Sequence, residues 1–438
     1  MLAYFLHTKL FVKICLFSVT IALTSGCVPF FTTDKSFHKP SPLPEISNNE
    51  VAFVKVWKQT IGNNKESSLL KLKPVIFKNT IYAASSSGVV MAIDKKTGRK
   101  IWSTKLKHQI NSGPGTDGKL LVLGIQPANI IALDAKTGKE KWTEKTEGEI
   151  LAIPAVAKNR VAIQALNGKI STFNATTGEQ LWQENITLPT LLLRGSASPI
   201  IYQDSVITGL PNGNVMCWNL QSGTLLWSNN LVSEQSSENQ LVDINATPLV
   251  VNDTLYAINY GGDMKAINIH TGETLWSHKA AGYYDMSDSG NYIYFSDLKS
   301  NLISIEKDTG NIKWSADKLA YRYLSAPAVY RNYVLTGDYQ GYIHALSKFD
   351  GQPKGRYHVY FSGGISTQPL VDQEYIYIFT NKGDLVALTV EKKKSLVHSS
   401  GCKICDCYDK VQWNERVACL SKILPEINDN WIKNFKDI

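Results

Sequence analysis

No run of apolar residues in this 438-residue chain is long enough to cross a bilayer as a helix. The most apolar stretch, Ile14 to Leu23, is about half the ~20 residues that such a span requires, which argues against a transmembrane anchor. Clustered basic charge is missing as well. The 46 Lys and Arg exceed the 38 Asp and Glu by +8, but no patch interleaves them with aromatics. The surface therefore reads as solvated and mildly basic, with no nucleic acid expected as a partner. The eight histidines do not group: His108, His270, His278, His344 and His358 stand singly along the body of the chain. The seven cysteines include no adjacent pair. Neither a histidine-rich metal centre nor a vicinal-thiol redox site is written into the sequence.

What is present begins at the N-terminus. Lys9 and Lys13 precede the apolar run, and small residues then lead into Cys27, the arrangement of a secretory signal segment. The ending Leu23-Thr24-Ser25-Gly26-Cys27 resembles the bacterial lipobox, after which the cysteine becomes lipid-modified. Thr24 stands where Leu is commoner, and a plain secreted protein with a free Cys27 is the alternative. Residues 1–26 are thus expected to be a lipoprotein signal peptide, whose removal leaves 44 basic and 38 acidic residues. The resemblance also implies that Val28, rather than an Asp, directs sorting to the outer membrane. A lipid tethers a chain to a membrane surface without spanning it. Residues 27–50, with Pro29, Pro40, Pro42 and Pro44 among Ser, Thr and Asn, read as an extended linker behind that anchor.

From residue 51 the chain repeats itself. MAIDKKTGRKIW (91–102), IALDAKTGKEKW (131–142), STFNATTGEQLW (171–182), CWNLQSGTLLW (217–227), KAINIHTGETLW (265–276) and ISIEKDTGNIKW (303–314) share one plan. A short strand leads to a turn with Gly four residues before Trp, and a second strand follows. Gly accepts a positive φ without steric cost, and the Asp or Asn before several turns can bond the local backbone. Asp94 and Asp134 recur because the turn wants them, not because a metal does. A second marker keeps step: Pro74, Pro114, Pro154, Pro199 and Pro248 each stand 28 residues before a Trp. Met286 takes the proline position in the sixth unit, and Gly355 the tryptophan position in the seventh. Alternating runs between the markers, such as VIFKNTIYAAS, read as two more strands joined by a tight turn.

Each unit therefore contributes four strands, the sheet of a propeller blade, and units beginning near residues 74, 114, 154, 199, 248, 286, 327 and 369 make eight. The last unit lacks its Trp strand, whereas Val56-Trp57 has a Trp strand and no unit before it. Residues 51–60 are expected to supply the outer strand of blade eight and close the ring, because a linear array would leave open edges. The predicted fold is all-β, an eight-bladed propeller over residues 51–390. Its period resembles the quinoprotein type, whose docking motif A-x-D-x-x-x-G-x-x-x-W is best matched at residues 92–102 and 132–142. No Trp-Asp dipeptide closes any unit, so WD40 repeats do not fit.

Quinoprotein dehydrogenases use such a ring to hold a redox cofactor and calcium, yet their adjacent cysteine pair is absent here. No cofactor, no metal and no catalytic residue are expected. The competing class is a periplasmic enzyme or ligand sensor using the central channel, which quinone absorbance in the purified protein would reveal. Insertions point instead to protein contact. Between each Trp marker and the next Pro marker the spacing varies, and the stretches at 182–199 and 227–248 are long and flank one blade. In a propeller these connections lie on one face, where loops on a rigid scaffold carry binding. The first contains TLLLRG (190–195), and the second ends in QLVDINATP (240–248). Leu191 to Leu193 either lead into the next inner strand as core or, beside Arg194 and opposite Asp243, form an interface anchor.

The span from the lipobox to Val390 resembles the BamB family, lipoprotein subunits of the machine that folds β-barrel proteins into the bacterial outer membrane. The family's L-x-L-R-G stretch and its later D-x-D/N before T-P match Leu191, Leu193, Arg194 and Gly195, then Asp243, Asn245, Thr247 and Pro248. The resemblance implies that these residues bind a periplasmic domain of a BamA-like barrel partner, with Asn245 standing where Asp is usual. It further implies a scaffold at the periplasmic face of the outer membrane and, through exposed strand edges, contact with unfolded substrate chains.

The tail, residues 391–438, departs from the family. Trp413, Val417, Leu420 and Leu424 form a helical stripe stopped by Pro425, so a small helical appendage is expected. Cys402, Cys405, Cys407 and Cys419 have the spacing of zinc ligands, but in an exported chain two disulfides of undetermined pairing are expected instead. Cys217, inside a predicted strand, reads as a buried free thiol.

Overall fold

The computed structural model describes residues 39–46, 49–64, 70–232 and 241–392. The signal segment, Cys27, the first part of the linker and the tail with its helical stripe and four cysteines lie outside the described residues. Within them every regular element is a strand, and the strands form eight four-stranded antiparallel sheets. Blades 1 to 7 are each continuous in sequence. Blade 8 joins Leu370–Val371, Ile376–Phe379 and Asp384–Lys392 to the N-terminal strand Val51–Thr60. That strand pairs from Val51 opposite Lys392 to Thr60 opposite Asp384, so the ring is closed by its own beginning, as the repeat count required.

Burial explains the sequence pattern blade by blade. The two middle strands are sandwiched between neighbouring blades, and both their faces are covered. Val89–Asp94 and Asn129–Asp134 accordingly read as near-continuous apolar runs. Outer strands such as Glu140–Lys145 are mostly exposed, and the Trp that turns inward is their one buried residue. A bulge recurs between the third and fourth strands, and it sets each Trp opposite a small residue: Ala92 opposite Trp102, Ala132 opposite Trp142, Ala266 opposite Trp276.

The tryptophans lock successive blades. Each indole N–H donates to a carbonyl in the turn before the outer strand of the next blade, Trp102 to Ala135 at 3.0 Å, Trp142 to Ala175 at 2.9 Å and Trp314 to Lys348 at 3.0 Å. The ring lies against the glycine of that same turn. A Cβ on Gly138 would stand 2.4 Å from Trp102, and its φ of +70° independently favours glycine. The turn acids serve the backbone: Asp94 Oδ1 accepts from the Thr97 N–H and hydroxyl, each at 2.8 Å. Those hydrogen bonds from Thr97 hold the Asp94 carboxyl below the usual range.

Position 355 now has a physical explanation. Blade 8 has no continuous turn between its third and outer strands, because the outer strand comes from the other end of the chain. A Trp there would have no turn to receive its N–H. Gly355 instead lets Val51 pack closely, since a Cβ at position 355 would stand 2.6 Å from the Val51 Cβ and 2.8 Å from its carbonyl oxygen.

Candidate functional site

The connections from each outer strand to the next inner strand all emerge on one face of the ring, together with the turns between middle strands. TLLLRG lies there, in an irregular connection between Gln180–Asn185 of blade 3 and Ile200–Tyr202 of blade 4. It is loop, not strand. Leu191 is 64% exposed and Arg194 is exposed, whereas Leu192 and Leu193 are half-buried and Gly195 to Pro199 are buried. Of the two readings left open for these leucines, neither holds for all three: Leu191 is the outward apolar tip, and Leu193 is half-buried.

Asp243 and Asn245 sit where the spacing put them, on the next connection, but beneath the loop rather than on its surface; each is only 1% exposed. Asp243 Oδ1 accepts the Leu193 amide at 2.8 Å, and its own carbonyl accepts the Tyr260 amide at 2.9 Å. Burial pushes the Asp243 carboxyl above its usual range. Asn245 packs so close under Gly195 that a Cβ there would stand 2.5 Å from its Oδ1, which is why the arginine is followed by glycine. The Asn245 carbonyl in turn accepts Lys71 Nζ.

Two further residues complete the arrangement, and no pattern in the sequence marks them. Glu149, from the connection between blades 2 and 3, meets Arg194 Nη2 with both carboxylate oxygens at 3.3 Å. Asn111 Nδ2 holds Glu149 from behind at 3.0 Å. Tyr283, from the connection between blades 5 and 6, packs against Gly195 and stacks edge-on against Tyr284. Three neighbouring connections thus converge on one loop tip, and each grips it through a different atom. Only spatial neighbours could have shown this, because Glu149 and Tyr283 are single residues in irregular segments.

Toward the ring axis the same face narrows to a small recess, open to solvent and lined by Lys71, Lys73, Ser196, Tyr283, Tyr284 and Asp285 among others. Lys71 and Lys73 each approach an Asp285 oxygen at 3.9 Å, and Asp285 Oδ1 accepts the Thr247 amide at 2.8 Å. Calcium takes six or more oxygen ligands. The one carboxylate among the described residues lining this recess already faces two ammonium groups, so these residues do not fit the calcium and quinone of a dehydrogenase. His344, one of the histidines that stand singly in the sequence, meets an acid in space. It is buried, with Nε2 at 2.9 Å from Asp338.

Eight four-stranded blades closed into a ring, with a clamped loop turned outward on one face, define a class: an eight-bladed β-propeller. Comparison with known proteins is consistent with it. Residues 86–316 match the family described as outer membrane protein assembly factor BamB. The BamB proteins of Pseudomonas aeruginosa and Legionella pneumophila are each 38% identical to this chain. The first aligns over 84% of this chain and 97% of its own length, the second over 85% and 98%. In three dimensions the chain is similar to BamB from Moraxella catarrhalis, with a TM-score of 0.70 at 24% identity, covering 77% of this chain and all of that one. This chain belongs to the BamB family.

Proposed function

We propose that this chain is a lipid-anchored, non-catalytic scaffold that assists the assembly of outer-membrane proteins from the periplasmic face of the outer membrane. The relatives' shared name, assembly factor, supplies the process. The observation that carries the molecular reading is the clamped loop tip with Leu191 and Arg194 turned to solvent. Leu191, Leu193 and Arg194 form the contact with a BamA-like periplasmic domain, and Asp243 and Asn245 hold that contact in shape from below. Full burial of a leucine against the partner is worth roughly 1.5–3 kcal/mol. The Arg194–Glu149 pair is exposed and weak, so the guanidinium is free to exchange Glu149 for an acceptor on the partner. A preformed loop keeps the ordering cost of association low.

Cys27 carries the lipid in this reading. The Cys27→Ser chain then folds but is stripped from the membrane fraction by an alkaline wash that removes peripherally bound protein, whereas the unaltered chain stays. In the tail, Cys402, Cys405, Cys407 and Cys419 are paired with one another, and mass mapping without reduction finds no free thiol among them; stoichiometric zinc would contradict that. The function itself is tested by affinity purification from solubilised outer membranes. A β-barrel protein with periplasmic domains should come down in stoichiometric amount, and its absence would remove the proposal.

A further inference from the structure

The described N-terminal residues strap the outer edge of blade 7. Ser41 is held at both backbone polar groups: its N–H donates to Ala320 at 2.9 Å, and its carbonyl accepts Arg322 Nη1 at 2.9 Å. Arg356 Nη1 donates to the Pro44 carbonyl at 2.9 Å, and the Glu50 amide donates to Lys354 at 2.9 Å. The Arg322 guanidinium is buried and braced from within by Asp338 Oδ2 at 2.7 and 2.9 Å. This is a built cleat with one prong left for the strap. Lys354 opens the outer strand, at the ring face that carries the Trp-docking turns. Ala320 and Arg322 lie in the connection entering blade 7, at the opposite face. The chain upstream of Ser41 therefore departs from the same face as TLLLRG, nearly across the ring from it.

Beside that departure point the surface changes character. Tyr323 is 61% exposed, Tyr339 40%, Tyr360 69% and Phe361 83%, and all four belong to the connections and the turn of blade 7 on this face. Tyr323 meets Tyr339 edge-on at 6.0 Å, and Tyr360 meets His358 at 4.2 Å. Tyr323 and Phe361 adopt left-handed backbone, φ +50° and +60°, uncommon for bulky side chains and indicative of a constrained display. Single exposed apolar residues need no explanation, but four aromatics in one sector mark a contact surface.

We infer that this blade 7 sector is a lipid-facing surface that rests in the membrane–water interface. Tyrosine combines an apolar ring with a polar tip, the chemistry enriched at that interface. The inference rests on the proposed lipid at Cys27. Thirteen residues lie between Cys27 and Ser41, an extended reach of at most roughly 50 Å. A lipid inserted at one end of that tether keeps the aromatic sector at high effective concentration near the bilayer. Contact there turns the whole face, TLLLRG included, toward the membrane that holds a barrel partner.

The test separates the sector from the lipid. The mature Cys27→Ser chain is sedimented with vesicles of phosphatidylethanolamine and phosphatidylglycerol, beside the same chain carrying Tyr360→Ser and Phe361→Ser, and beside Leu191→Ser. The Cys27→Ser chain should bind, the aromatic variant should bind severalfold less with an unchanged melting temperature, and Leu191→Ser should bind as the parent. No vesicle binding by the parent, or equal binding by the aromatic variant, overturns the inference. So does concentration-dependent self-association that the aromatic variant abolishes, which would make a second copy the occupant. Lipidation is read independently from the mass of the N-terminal peptide of the unaltered chain, so either reading can fail without the other.

Discussion

Replacing Asp243 with Ala removes the acceptor of the Leu193 amide, a hydrogen bond made by a residue 1% exposed. Losing such a buried partner costs about 1–3 kcal/mol, here concentrated in one loop. Hydrogen exchange at the Leu193 amide should accelerate and partner capture should weaken, while the melting temperature of the ring moves little. Asp243→Asn keeps an acceptor oxygen and should preserve the loop. It should also remove a pH dependence. Burial raises the folded pKa of Asp243, so its contribution to stability is fully present below the unfolded value of about 3.9 and is lost as pH rises through the folded value. Urea midpoints of the parent should fall relative to Asp243→Asn as pH rises across that window; parallel profiles would mean the carboxyl titrates normally. At this scale the spacing of Leu191, Arg194, Asp243 and Asn245 was legible in the sequence. Their division of labour was not, because burial beneath a loop depends on which connections meet in space. Glu149, Tyr283 and the buried Asp338–His344 pair left no local pattern at all.

Between elements, cohesion comes from one side chain meeting one turn. Trp142 is 8% exposed, donates to Ala175 and lies against Gly178 of the next blade. Trp142→Ala should cost about 3–5 kcal/mol in urea unfolding, from lost burial, a residual cavity and an orphaned carbonyl. Gly138→Ala attacks the same lock from the other side, since its Cβ falls 2.4 Å from Trp102 at a φ that disfavours it. The urea midpoint should drop again; an unchanged midpoint would show that the turn relaxes away from the indole. Gly355→Trp should also destabilise, by displacing Val51, although it restores the repeat on paper. The blades were readable because the same Gly, Trp and small residue recur at fixed spacing. The strap was not, because it is held by backbone carbonyls and by Arg322 and Arg356, which repeat nowhere.

For the whole molecule the decisive feature is closure by the first strand. Removing residues up to Thr60 strips Val51–Thr60 from blade 8 and exposes Asp384–Lys392 as a long unpaired edge, which invites association between chains. Such a truncation should yield aggregated or poorly folded protein, as seen by size-exclusion chromatography. Removing residues 393–438 should leave the melting temperature of the ring nearly unchanged, because none of the ring's described strands lies there. A ring that can be cut at its tail but not at its head is a rigid mount, and a rigid mount is what a loop-borne contact requires. The most direct test of that account changes the exposed tip alone. Leu191→Asp with Arg194→Glu alters two outward side chains and leaves the Asp243 and Asn245 supports in place. Thermal melting of this variant is measured beside pull-down of the barrel partner from solubilised outer membranes. The account predicts an unchanged melting temperature and no captured partner. Full capture by a folded variant, or loss of capture only through unfolding, would contradict it.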